Sequence, residues 1–155
     1  MIHGDALYVL KTMKYDPDYV LCECDLEPLQ DLVSQLELHH RITLVKEPAV
    51  CLTMIRAEDS LEKQEFYLGE ALTTECEVTV DDQPGFGVCL GEEPVRGYCL
   101  AVIDALLDPA RCQADVNPKI EEFIERHGGI VTDREKREFN LVLRSQVDFK
   151  LMEQE

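Results

Sequence analysis

The 155 residues carry 15 Lys plus Arg against 32 Asp plus Glu, a formal net charge of −17 at pH 7. Nucleic acid is held by Lys and Arg that neutralise its phosphates, so this balance excludes it as a partner, and an anionic membrane surface is opposed for the same reason. Hydrophobic residues make up 45% of the chain without any run of about 18 apolar residues, which predicts one folded domain over residues 1–155 with no membrane span.

The opening MIHGDALYVLKTMKYD lacks a basic head and a long apolar core. No secretory signal is expected, the chain is placed in the cytoplasm, and its seven cysteines are expected to be reduced. Asp16-Pro17 reads as a helix start, with a short helix to about Cys24. Leu29, Leu32, Val33 and Leu36 recur at helical spacing and predict a second helix, from Pro28 to near LHHR. Strands follow. RITLV is short and rich in branched residues, KEP is expected to turn the chain, and AVCLTMIRA is apolar on both faces and is placed in the middle of a sheet. EDSLEKQE is a charged loop. FYLGEALTTECEVTV alternates: Leu72, Thr74, Cys76, Val78 and Val80 on one face, Thr73, Glu75, Glu77 and Thr79 on the other. DDQPG connects it to a returning strand, FGVCL.

The last third is helical. EPVRGYCLAVIDALLD is the most buried helix, with Pro94 in its first turn and Pro109 after its end. NPKIEEFIERHGG has Asn117 as its cap, Pro118 at its start and Gly128 as a left-handed exit. A Thr132-x-x-Glu135 capping box then opens a separate final helix. The expected fold is α+β: about four antiparallel strands packed against helices from both ends of the chain.

Several features are candidate sites. Gly85, Gly87 and Gly91 form a G-x-G-x-x-x-G run, but two of them precede or lie in a strand, and Glu92-Glu93 occupy the following helix start. Carboxylates there repel a phosphate, so the glycines are read as serving a turn, a close backbone approach and a strand-to-helix corner. Cys22, Cys24, Cys51, Cys76, Cys89, Cys99 and Cys112 show no zinc spacing; a metal or redox module would need Cys22 and Cys24 with His39 or His40. Cys51, Cys76, Cys89 and Cys99 are read as small buried hydrophobes. His39-His40 close a helix, His127 sits in a last helical turn and His3 in a terminus. Asp104 is a lone carboxylate in an apolar helix. Its expected role is structural; the other reading is a small acid/base enzyme using Asp104 with a histidine. From Ala57 to Glu93, 11 carboxylates face one base, Lys63. They form either a solvated face or a docking face for a basic partner.

The central block FYLGEALTTECEVTV…GFGVCLGEEPVRGYCLAVIDALLD resembles the PhnG family, the G subunit of the bacterial carbon–phosphorus lyase system. The resemblance rests on the aromatic pair before Gly69-Glu70, the Thr/Glu strand, the Gly-aromatic-Gly return, the Gly-acid-acid-Pro corner and the Ala-x-Ile-Asp-Ala-Leu helix. FNLVLRSQVDFKLM near the carboxyl end is similar too. The likeness is good over residues 42–110, moderate over 135–152 and loose elsewhere. It implies assembly with the H, I and J subunits, most directly I. With the L subunit, such complexes displace adenine from ATP with methylphosphonate, giving ribose 1-methylphosphonate 5-triphosphate. The nucleosidase-like step is credited to I and the iron–sulfur radical cleavage to J. No catalytic, cofactor-binding or metal-binding residue carries over to this chain, so none is assigned. Its cysteine count and acidity depart from the family. An open sheet edge predicts a homodimer when partners are absent.

Overall fold

The computed structural model describes residues 13–107 and 117–146. His3, Pro109 and Cys112, singled out from the sequence, lie outside them. Helix α1 (Pro17–Glu23) begins as its sequence requires: the Asp16 carboxylate accepts the Asp18 N–H at 3.1 Å, and Pro17 takes the first helical position. Helix α2 (Leu26–Glu37) turns Leu29, Leu32, Val33 and Leu36 into the core.

Three strands follow in one antiparallel sheet, in the order β1-β2-β3. They are β1 (Ile42–Glu58), β2 (Glu65–Val80) and β3 (Gln83–Leu90). The expected count of about four is corrected to three. RITLV and AVCLTMIRA are one 17-residue strand, and KEP does not turn the chain. Register shifts between Leu44 and Lys46 and between Lys46 and Ala49 absorb the proline as bulges. Proline is tolerated because β1 is an outer strand, whose open side needs no N–H donor. AVCLTMIRA is therefore at the sheet edge and not in its middle, and Leu52 and Met54 are exposed.

Strand β2 is the central one, and its alternation is real where helices cover it. Thr74, Cys76, Val78 and Val80 are buried, whereas Glu75, Glu77 and Thr79 are half-buried on the helix-free face. A two-residue turn, Asp81-Asp82, joins β2 to β3 with φ of 48° and 68°. Positive φ at both positions matches the right-handed twist of the flanking strands, and aspartate tolerates it.

Helix α3 (Pro94–Leu107) lies across the inner sheet face and is the most buried helix, with Ala101, Val102 and Ile103 fully enclosed. Each such Ile or Leu contributes about 1.5–3 kcal/mol by leaving water. Helix α4 (Pro118–Arg144) crosses α1 and α2 and closes the core with Ile120, Phe123 and Ile124. Asn117 caps it, accepting the Lys119 N–H at 3.0 Å. It runs unbroken for 27 residues, through Gly128 and past Thr132. The expected exit at Gly128 and the expected capping box at Thr132–Glu135 do not form. Gly128 serves packing instead: a Cβ there would sit 2.4 Å from the Tyr15 ring. Gly128 is there to admit an aromatic ring, and the helix continues through it.

Candidate functional site

The glycine run is a packing seam. A Cβ on Gly85 would lie 2.1 Å from the Ala101 carbonyl oxygen, and one on Gly87 would lie 2.0 Å from that of Gly97. The small residues Gly97, Ala101 and Ala105 of α3 rest directly on β3. Gly91, at φ +82°, makes the corner. The start of α3 is already satisfied by protein groups. The Thr74 hydroxyl accepts the Glu93 N–H at 3.0 Å and lies 2.6 Å from the Gly91 carbonyl oxygen. Thr74 is fully buried, and its capping role was invisible in the sequence because the helix it serves begins 20 residues later, at Pro94. A strand that alternates Thr with Glu signals a face, not a long-range cap.

Asp104 reaches the edge of β3, where its carboxylate accepts the Phe86 N–H at 2.9 Å. Among the described residues no hydrogen bond joins it to a histidine. His40 is instead part of a corner: its Nδ1 lies 2.6 Å from Asp81 Oδ2, while the Arg41 N–H donates to Asp81 Oδ1 at 2.8 Å. The His40 contact, followed by the Arg41 amide, holds the Asp81 carboxyl below its ordinary range. Arg41 also binds both Asp82 oxygens, at 2.7 and 2.8 Å. The corner ties the start of β1 to the β2–β3 turn. His127 is buried within α4, stacked on Phe123 at 4.1 Å between ring centroids, and burial lowers its proton affinity.

The cysteines Cys24, Cys76, Cys89 and Cys99 are buried and reduced; Cys22 and Cys51 are half-buried. Burial pushes their thiols up at every site where a shift is resolved, to about 11 for Cys99. Cys51 departs from the buried-hydrophobe reading: it faces the helix-free side of the sheet, 3.2 Å from the Thr73 hydroxyl. Cys22 and Cys24 diverge, one half-buried and the other in the core. Among the described residues no group of three His, Cys, Asp or Glu side chains is placed to hold a metal ion.

What the fold leaves outside is more distinctive. The far halves of β1 and β2 pair from Cys51↔Thr73 to Glu58↔Glu65 and carry exposed Leu52, Met54, Phe66, Tyr67, Leu68 and Leu72. Among the described residues no helix covers this two-stranded arm, and Leu52 and Leu72 sit directly opposite one another. A soluble monomer rarely shows apolar surface so concentrated. The second half of α4 likewise exposes Phe139, Val142 and Leu143. Beside the other sheet edge, a groove of about 860 Å³ separates α1 from β3 and reaches Arg96. Arg96 is tied down there, donating to Glu93 at 2.6 Å and to the Leu21 and Cys24 carbonyls at 2.9 and 3.0 Å.

A family model described as phosphonate metabolism protein PhnG matches residues 18–154, a span containing every element above but the first helical residue. The chain belongs to the PhnG family. No curated protein matches it by sequence. Membership in PhnG gives the chain a role in phosphonate metabolism, as part of the carbon–phosphorus lyase system. PhnG is a subunit of that complex, so protein partners are implied. The exposed arm is the kind of surface such partners cover. No described helix is long and apolar enough to cross a membrane.

Proposed function

We propose that this chain is a non-catalytic subunit of the carbon–phosphorus lyase core complex, one domain over residues 1–155, working in the cytoplasm. In this reading it supports transfer of methylphosphonate onto the ribose of ATP with release of adenine. The product is α-D-ribose 1-methylphosphonate 5-triphosphate. Its partners are the H, I and J subunits, most directly I. The observation that carries the reading is the apolar β1–β2 arm on a chain of the PhnG family. Such an arm gains stability only when another protein covers it. The outward carboxylate of Glu77 on β2 adds negative charge beside it that would orient a basic partner surface, while Glu75 is already paired with Lys46 at 3.0 Å.

Co-expression with the I subunit tests this. The chain is expected to co-purify with I, more weakly as ionic strength rises. Leu52→Glu combined with Leu72→Glu, both on the exposed arm, is expected to abolish co-purification while leaving the thermal midpoint of the isolated chain within a few degrees. ATP turnover by the isolated chain, or retention of I by the double variant, would overturn the reading.

A further inference from the structure

Strand β3 is an outer strand, and its free side faces a groove. The register from Val80↔Gln83 to Thr73↔Leu90 is unbroken and closes on a two-residue turn. Such a hairpin points the N–H and C=O groups of residues 83, 85, 87 and 89 at β2, and those of 86, 88 and 90 away from it. Phe86 bears this out, since its N–H goes to Asp104 at 2.9 Å and not into the ladder. Asp104 thereby closes the lower end of the edge. Val88 and Leu90 remain, each presenting an amide and a carbonyl to the groove, and among the described residues no strand pairs with them.

The groove lies along this open edge, where one more strand would pair. Its floor is Val88, Cys89 and Leu90, and its far wall is α1 with Asp18, Tyr19 and Cys22. At about 860 Å³ it is within the ~300–1,000 Å³ of pockets that enclose a drug-sized ligand. The other sheet edge, β1, is interrupted by bulges and Pro48.

Its charge selects the occupant. Of the acids lining it, Glu93 is paired with Arg96 at 2.6 Å and Glu23 with Arg134 at 2.9 Å. Asp16, Asp18 and Asp25 line it with no cation paired to them among the described residues. Asp18 is exposed at the groove's rim, and partial desolvation by its surroundings, then the neighbouring Asp16 and Asp104, raises its proton affinity. A cation arriving there would relieve that repulsion.

We propose that this groove receives an extended segment of a partner polypeptide, which pairs with Val88 and Leu90 as a fourth strand and sets Lys or Arg side chains against Asp16, Asp18 and Asp25. Main-chain bonds to the edge supply affinity, and the acids supply selection for a basic sequence. The inference deepens the subunit reading and rests on it for the source of the segment.

The test uses the full chain and a fluorescent probe, acetyl-Arg-Val-Arg-Val-Arg-Val-amide, read by anisotropy. Two further peptides are N-methylated, one at every Val and the other at every Arg. A strand bonded on one side only needs one of the two sets of amides. One methylated peptide is therefore expected to bind about tenfold more weakly, and the other to match the parent within about threefold. Val88→Pro removes the outward amide and leaves the β2 ladder intact, and is expected to cost a similar factor. Asp18→Asn with Asp25→Asn is expected to weaken binding several-fold and flatten its salt dependence. Equal binding of the two methylated peptides, unchanged binding by folded Val88→Pro, or no binding of the parent at millimolar concentration would each overturn the proposal. The paired peptides decide alone if Val88→Pro does not fold. Co-purification with I that survives such a result would leave the subunit reading standing.

Discussion

A single glycine in this chain can mean opposite things. Gly69 stands on the exposed arm, where an added Cβ would meet nothing within 4 Å. Gly87 lies under α3, where the same atom would be 2.0 Å from a backbone carbonyl that no rotamer change can move. Gly87→Ala is expected to destabilise the chain by at least the ~1–3 kcal/mol usual for overpacking. Gly69→Ala is expected to be neutral or stabilising, because alanine restricts the unfolded chain more than glycine does. Thermal unfolding of both variants checks this, and equal midpoints would refute it. The G-x-G run was legible as a structural feature, since the acids after it spoke against a phosphate. Which backbone it faces was not legible, because a glycine leaves no trace of what fills the space beside it. Asp104 shows the same limit: a lone carboxylate in an apolar helix predicts a polar partner, yet that partner is an amide on a strand 18 residues away.

At the scale of elements, the first two helices are legible in the sequence because the Asp16-Pro17 start of α1 and the apolar stripe of α2 are local, although α2 begins at Leu26, two residues before the expected Pro28. The errors came where a local stop signal was overruled from a distance. Pro48 reads as a turn, but at a sheet edge it costs no ladder bond, so two expected strands are one. Gly128 reads as a helix end, but Tyr15 takes the space and α4 runs on. The packing of β2 on the start of α3 also depends on a distant residue, being held by Thr74. Thr74→Val is nearly isosteric, so it removes the cap without opening a cavity. It is expected to cost roughly 1–2 kcal/mol, lowering the thermal midpoint by about 3–6 °C. Thr74→Ser keeps the hydroxyl and is expected to retain most of the stability. A valine variant as stable as the parent in calorimetry would remove Thr74 from this role.

The whole molecule is a covered core with uncovered extensions. Among the described residues, helices protect the inner face of the sheet as far as Thr74; beyond it the β1–β2 arm carries exposed apolar side chains, and so does the end of α4. Without its partners the chain is expected to pair with itself through such surfaces. Light scattering should report a dimer at high concentration that the Leu52→Glu, Leu72→Glu variant reduces to a monomer. A parent chain that stays monomeric would count against this.

Charge, the apolar stripe of α2, the all-round apolar character of α3, the alternation of β2 and the family pattern were all set by the residues themselves, because each is a property of near neighbours along the chain. Three matters were decided only when distant segments met. These are the number of strands, the continuity of α4 and the side of β3 that stays open. Each depends on whether a backbone group or a vacant Cβ position is filled by something far away in sequence, and no local pattern encodes that.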